Sequence, residues 1–468
     1  MTAEVDTQSA AVAKMAEAWP MIDALVGGTG AMRAAGKAFL PQFPAEPDAS
    51  YKARLSTATL FPAFARTAEV LAAKPLSKAI TLDGVPPDIE ALLEDVDGEG
   101  STLHAYFALL MLQRIQYGLA GVLVDMPPAE GLRTLADEKQ AGVRPYFATY
   151  KASSILECSP GKDGPSRVRL LECVTEPDGE WGEKPVKQVR VLTPGKWAIH
   201  RKVKQEDGRE SWQEVESGVT TLKRIPFVLF GDGKPPLLDL AYQNITHWQS
   251  SSDQQTILHV ARVPILYATG FGDEDQLTVG ASSFVRTTNE NAKIGYAEHT
   301  GAAIGAGEES IKRLEDQMRM TGAELLVQKA RITTATQTVS EGEGSKSILQ
   351  RIAESFQESI EECLCLMCEW RGIATPEIEV KLYTDFGAAA LGEQTANTIL
   401  AAVAGKVISP ETGFHELKRR DLISPDVEWV EEATRIAAQS PEAEKPEDDT
   451  KEESHDADEN AADGLVTK

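Results

Sequence analysis

Residues Ile225 to Leu266 read IPFVLFGDGKPPLLDLAYQNITHWQSSSDQQTILHVARVPIL. The run Ile225 to Phe230 reads as a strand and GDGKPP as a turn; Leu237, Ala241, Ile245 and Trp248, then Ile257, Val260 and Ala261, fall at the spacing of one long helix. The remaining helix positions are almost uncharged: Gln243, Asn244, Thr246, His247, Gln249, Ser250, Ser251, Ser252, Gln254 and Gln255 stand where a surface helix would carry Lys and Glu. A polar but uncharged face can be hydrogen-bonded against protein without the desolvation cost of burying ions. The helix is therefore expected to be flanked by other helices, from its own chain or from other subunits.

Upstream, residues 8 to 40 read as helix broken at Gly27 to Gly30, and YKARLSTATLFPAFARTAEVLAA, residues 51 to 73, as helix interrupted near Pro62. Pro87 to Leu93 and Leu103 to Tyr117 are further helices, the second stopped by Gly118, and Ala120 to Val124 is a short buried strand. From Arg144 to Phe230 the period becomes two, with strands at Ser154 to Cys158, Arg167 to Val174, Gln188 to Leu192, Trp197 to Lys202 and Ile225 to Phe230, and with PGKDGPS and EPDGEWGEKP as loops.

Downstream, Leu277 to Tyr296 reads as mixed strand and loop, EHTGAAIGAG as a Gly/Ala-rich loop, and residues 308 to 330 as a helix. Ser345 to Arg371 is the clearest helix, its stripe Ile348, Ile352, Phe356, Ile360, Leu364 and Met367 running over about seven turns. A strand at 378 to 383 and short helices over Glu393 to Ala438 follow; beyond Ser440 the acidic, apolar-poor sequence is expected to be disordered.

The 468 residues suffice for about three domains. With 47 Lys+Arg against 72 Asp+Glu, a formal net charge of −25, the chain is not built to grip a nucleic-acid backbone, though it could let one slide past. No apolar run approaches the ~18 residues of a membrane helix. MTAEVDTQSAAVAKMAEAW lacks the basic and apolar regions of a signal peptide, and five cysteines form no framework; a reducing cytoplasmic setting is expected.

Motifs suggesting chemistry fail on counting. In GGTGAMRAAGKA the position that a phosphate loop reserves for glycine, separated by four residues from Gly36 and Lys37, is Ala31, the hydroxyl position is Ala38, and no strand precedes it. A hinge between helices is the better reading. DVDGEGSTLHAY offers Asp95, Asp97 and Glu99 as a calcium loop would, but Leu103 and Tyr106 occupy the later ligand positions; a turn leading to Ser101 as a helix N-cap is expected instead. Cys363, Cys365 and Cys368 point apart on a helix and read as core, and no histidine pairs with a nucleophile at a catalytic spacing. Neither Lys418, Arg419 and Arg420 nor His200 to Lys204 is interleaved with aromatics. No catalytic residue, cofactor or metal is assigned, and a structural protein rather than an enzyme is expected.

The segments YKARLSTATLFPAFART, YGLAGVLVDMP with RPYFATYKASSI, IPFVLFGDG to VPILYATG, EHTGAAIGAGEESIKRLEDQMRMTGAELL and GKVISPETGFHELKRRDLISPD, in that order over residues 15 to 437, resemble the portal proteins of tailed bacteriophages. The resemblance implies an α+β portal fold with an α/β wing, a helical stem, a clip and a helical crown. It further implies a ring, usually of twelve, at one capsid vertex, through which double-stranded DNA is packaged and ejected. Terminase motor, capsid protein and tail adaptor are the implied partners, with no membrane; the implied location is the virion, and the host cytoplasm during assembly. In these terms residues 1–50 are an N-terminal helical arm and loop, 51–139 the helical part of the wing, 140–232 its β-rich part, and 233–307 stem, clip and candidate tunnel loop. Residues 308–389 are long wing helices, 390–440 the crown and 441–468 an acidic tail. Leu237, Ala241, Ile245, Trp248 and Ile257 are the candidate stem-packing residues; His299, Thr300, Gly301, Ile304, Gly305 and Gly307 are the candidate tunnel loop, where small residues would let backbone move beside DNA. Where many portals have Ser-Gly before the long helix, this chain has Gly344 and Ser345. The competing readings are a monomeric helical adaptor or scaffold of the virion and, against the failed phosphate-loop count, a nucleotide-dependent enzyme.

Overall fold

The computed structural model describes residues 4–127, 143–162, 164–205, 209–262, 265–270, 291, 293–297, 302–326, 346–374, 377–384, 386, 399–419, 423–424 and 427–439. The chain divides into two compact units, Met1–Gly387 and Ala388–Lys468. It is a mixed α+β protein.

In the first unit three short helices lead: α1 (Ala10–Ala16), α2 (Trp19–Val26) and α3 (Gly28–Ala35). Gly27 and Gly28 form the joint between α2 and α3, as the hinge reading of GGTG expects. Helices α4 (Asp48–Thr57) and α5 (Ala63–Ala73) lie on either side of the Pro62 interruption. Strand β1 (Thr81–Asp83), the short α6 (Pro87–Glu90) and α7 (Leu103–Tyr117) follow. The N-cap of α7 is Thr102 rather than the expected Ser101, its hydroxyl accepting the Ala105 N–H at 3.3 Å. Ser101 instead donates its own N–H to Asp97, so it is spent inside the preceding turn. Gly118 ends α7 at φ 76° and lies tight against the Lys234–Pro235 backbone, a position that only glycine fills without strain.

The sheet region holds more strand than the alternation indicates. A three-stranded antiparallel sheet has the order β3-β2-β9, from β2 (Ala120–Asp125), β3 (Tyr146–Lys151) and β9 (Phe227–Phe230). A five-stranded antiparallel meander runs β4 (Ile155–Ser159), β5 (Arg167–Asp178), β6 (Gly182–Thr193), β7 (Lys196–Lys204) and β8 (Glu210–Val219). The stretch EPDGEWGEKP, expected to be a loop, is the end of the β5–β6 hairpin, with Asp178 paired to Gly182 across a tight turn. Its Gly and Pro residues suggested irregular chain, but here they sit at and beside a hairpin turn, where they are at home. An ionic network joins the two sheets: Arg190 contacts Asp125 on β2 at 3.2 Å and Glu172 on β5 at 2.6 Å, while Tyr150 on β3 donates to Glu172 at 2.6 Å.

Helix α8 (Leu238–Ala261), strands β10 (Ile265–Thr269) and β11 (Lys293–Ala297), helix α9 (Ala302–Glu324), helix α10 (Ile348–Trp370) and strand β12 (Glu379–Lys381) complete the unit. Strand β12 returns to pair with β1. Helix α10 buries Ile352, Phe356, Ile360, Leu364 and Met367, the stripe read from sequence, and a capping box between Ser347 and Gln350 sets its start. It lies against the three-stranded sheet, where Phe356 meets Phe230 at 4.8 Å and Phe107 of α7 at 6.0 Å, centring the core. The Trp370 indole donates to the Val124 carbonyl at 2.7 Å, and Arg224 bridges Glu362 and Glu369 on the same helix. Cys363 and Cys368 are buried in α10 and Cys365 is half-buried; burial pushes the Cys368 thiol up to about 11. These cysteines are packing, as expected.

In the second unit, helices Pro410–Arg419 and Trp429–Gln439 pack Phe414 against Trp429 at 5.4 Å, and residues 399–404 are helical. Residues 441–468 lie outside the described residues. Among the described residues no helix is long and apolar enough to cross a membrane.

Candidate functional site: the paired long helices

Helices α8 and α9 are antiparallel neighbours. Gln254 meets Ile304, His247 meets Glu315 and Leu240 lies near Gly322, so the contacts run down one helix as they run up the other. Strands β10 and β11, which pair antiparallel from Ile265 with Ala297 to Thr269 with Lys293, sit between the two helices in sequence.

The uncharged face of α8 finds its partners within its own chain. Asn244 is fully buried; its Nδ2 donates to the Phe61 carbonyl at 2.9 Å and its Oδ1 accepts the Phe64 N–H at 2.9 Å. That N–H belongs to the first turn of α5, whose N-cap is Pro62 and offers no side-chain acceptor. Gln249 donates to the Phe39 carbonyl at 3.0 Å, and Gln254 to the Ile304 carbonyl of α9 at 3.0 Å. His247 is buried between Glu315 at 3.3 Å and Ser251 at 3.4 Å, with the Phe61 ring 5.2 Å away. Neutral amides suit these places because each exchanges hydrogen bonds with backbone and leaves no buried charge.

One charged group does enter. The Arg54 side chain is 4 % exposed, held by Glu46 through Nε at 2.9 Å and Nη2 at 2.8 Å, and by the Pro41 carbonyl at 2.8 Å. The Phe43 ring lies 4.4 Å from its guanidinium carbon, and Asp253 of α8 is 3.6 Å from Nη1. The hydrogen bond from Arg54 outweighs burial and holds the Glu46 carboxyl below its ordinary range. Asp253 is shifted the other way, because burial outweighs Arg54 there. The loop Pro41–Pro47 is thereby tied to α4 and to α8.

The candidate stem-packing residues divide by burial. Leu237, Ala241 and Trp248 lie in the chain's own core, Trp248 with no exposed surface; Ile245 is half-buried against that core and Ile257 is half-buried. The outward positions of α8 are others, with Tyr242 57 % exposed among them. Sequence periodicity located the apolar stripe and could not distinguish the packing of α8 on its own arm from packing on another subunit.

The candidate tunnel loop is corrected where it is described. Ile304, Gly305 and Gly307 belong to α9, which begins at Ala302; His299, Thr300 and Gly301 lie outside the described residues. Glycine content suggested a loop, but Gly307 lies in the helix facing α8, where a Cβ would press on the end of the Gln254 side chain and make it shift. From Ile304 the inward residues Gly307, Ile311, Leu314, Met318 and Leu325 continue at helical intervals, the signal that places the whole segment in a helix.

Among the described residues no group of three His, Cys, Asp or Glu is arranged to hold a metal ion. Asp95 and Asp97 of the calcium-like stretch accept backbone N–H groups of Gly100, Glu99 and Ser101.

Residues 236–371, from the start of α8 to the end of α10, match a family model described as a domain of unknown function (DUF4055). No curated protein matches the chain. Among solved structures it is similar to a chain in the neck of an empty gene transfer agent particle computed with C6 symmetry, with 12 % identity, a TM-score of 0.39, and 80 % of this chain and 89 % of that chain covered. It is similar to a chain of the native gene transfer agent virion at 13 % identity and a TM-score of 0.37, covering 84 % and 96 %, respectively. A chain in the neck of the native particle computed with C12 symmetry shows 13 % identity and a TM-score of 0.37, covering 75 % and 88 %.

Proposed function

We propose that this chain is a structural subunit of a virion head–tail junction, and specifically a portal: a closed ring, of about twelve copies as the family resemblance implies, through which double-stranded DNA enters and leaves the head. The observation that carries the reading is the antiparallel pair α8 and α9 with the β10–β11 ribbon between them in sequence. Helix α8 and the ribbon occupy the stretch 233–307 that the portal-like segments assign to stem and clip; α9 runs mostly beyond it, into residues that they assign to the wing, and on its pairing with α8 we reassign it to the stem. A second support is the placement of neutral amides along α8, which lets a helix be packed on more than one side without buried charge.

In this role the subunit turns over no substrate, and it meets capsid protein, a packaging motor and a tail adaptor. Twelve copies carry about 300 formal negative charges, a field that disfavours retention of phosphate while DNA passes. Contacts around the ring are heterologous, one surface of a copy meeting a different surface of the next.

The test is the particle mass of the purified protein by native mass spectrometry, with electron micrographs of the same fraction. A ring of about twelve subunits with a central channel is expected. A stable monomer across salt and protein concentration would overturn the portal reading and favour a monomeric adaptor.

A further inference from the structure

We propose that the outward face of α9 is the surface that DNA passes in the ring, and that its arginines are kept from gripping phosphate by carboxylates one turn away on the same helix. This rests on the portal reading above. Helix α8 is packed on both sides, by α2, α4 and α5 and by α9, whereas α9 turns one stripe onto α8 and leaves a broad charged face exposed. That face carries Glu309, Lys312, Arg313, Asp316 and Arg319.

The charges are arranged in pairs. Arg313 Nη2 lies 3.1 Å from Glu309 Oε1, and Arg319 Nη1 lies 2.6 Å from Asp316 Oδ1, with Glu315 4.0 Å from its other nitrogen. Both arginine side chains are at least 70 % exposed, so they can reach an external ligand. As structural contacts such exposed pairs are worth little. Their consequence for a polyanion is larger. An unpaired guanidinium forms bidentate, charge-assisted bonds to phosphate, while one beside a carboxylate offers the phosphate almost no net charge and a repelling neighbour. In a ring each such residue recurs in every copy, so even weak adhesion at one position would be multiplied around the duplex. Lys312 follows the same arrangement in sequence, standing one turn from both Glu308 and Asp316.

The experiment uses the full-length protein, its E309Q/D316N variant, and an E214Q/E216Q variant that removes the same number of charges from exposed positions of β8. Native mass is recorded for all three, and binding of a linear DNA duplex is followed by fluorescence anisotropy across a salt series. The α9 variant is expected to form the same rings and bind DNA at least about tenfold more tightly at low salt, with the log–log salt slope steeper by about one per newly engaged phosphate. The β8 variant is expected to change binding less than about threefold. Rings whose affinity rises equally in both variants, or in neither, overturn the α9 assignment and leave the portal reading standing. Absence of rings in the unaltered protein overturns the portal reading and this inference with it.

Discussion

Asn244 Oδ1 accepts the backbone N–H of Phe64 at 2.9 Å across 180 residues of chain, while its amide nitrogen donates to the Phe61 carbonyl on the other side of Pro62. Proline at the N-cap of α5 provides no side-chain acceptor, so a distant helix supplies it. Replacing Asn244 with Leu keeps the volume and leaves the buried Phe64 N–H unpaired, while the Phe61 carbonyl keeps the Ala63 N–H at 2.9 Å. The expected loss is about 1–3 kcal/mol of unfolding free energy, measurable as a lowered denaturant midpoint with an unchanged slope. A loss below ~0.5 kcal/mol would mean that water replaces the amide.

Trp248 and Tyr242 lie less than two turns apart on α8 and separate folding from assembly. Trp248 is fully buried in the subunit core, so Trp248→Ala is expected to cost about 3–5 kcal/mol and to lower the thermal midpoint of the subunit itself. Tyr242 is 57 % exposed, and Tyr242→Glu is expected to leave that midpoint within a few degrees while, in the ring proposed above, shifting native mass to smaller species. Intact rings from Tyr242→Glu would remove the outer face of α8 from the contact between copies.

Much of this architecture is legible in the sequence, and the parts that are not have physical reasons. The stripe from Ile352 to Met367 announces α10 because one face is continuously apolar and the other is not, and Gly118 marks the end of α7 because its conformation excludes other residues. Strand β8 is not legible: it is an edge strand whose apolar residues, Trp212, Val215 and Val219, fall at mixed parity, with both valines exposed, so no alternation marks a buried face. The start of α9 is hard to read because Gly305 and Gly307 lower helix propensity locally, and the Gln254 amide that bonds the Ile304 carbonyl at 3.0 Å is fifty residues away in sequence. The neutral amides of α8 signalled a packed helix correctly. Nothing in one sequence says that Asn244 reaches Phe61 and Phe64, since a hydrogen bond over 180 residues has no periodicity.

Glu157 links stability to acid. Burial alone would raise its carboxyl, but hydrogen bonds from Arg167, Ser159 and Arg169 outweigh it and hold the group at about 2, against an ordinary value of 4.5. A depressed folded value contributes stability that is fully present above the unfolded value and is lost as pH falls through the folded one. The contribution should therefore decline between about pH 4.5 and pH 2. Since Arg169 also donates to the Val5 carbonyl at 2.7 Å, release of the N-terminal segment is expected to accompany it. Denaturant midpoints measured from pH 6 downward should fall less steeply in Glu157→Gln than in the unaltered protein; parallel curves would show that other carboxylates dominate.

Arg54 and Glu46 form a pair in which both side chains are less than one-tenth exposed, so removing one partner does more damage than removing both. Arg54→Met leaves the Glu46 carboxylate buried without its guanidinium, at an expected cost of about 3–5 kcal/mol. Glu46→Gln keeps a hydrogen-bond acceptor for Arg54, which retains the Pro41 carbonyl and the nearby Asp253, and is expected to cost less. In the double variant, Arg54→Met with Glu46→Leu, no buried charge is left and the aromatic rings of Phe43 and Tyr51 still pack against an aliphatic side chain. Its stability should recover a substantial part of the loss seen in Arg54→Met, a coupling of at least ~1 kcal/mol in a double-mutant cycle by chemical denaturation. Additive effects would mean that Arg54 acts through Pro41 and Asp253 instead of through Glu46. The same variants report on α8, because Asp253 is its link to this cluster: if the ion pair helps hold the arm against the helix, Arg54→Met should expose the Pro41–Pro47 loop to proteolysis before the subunit unfolds.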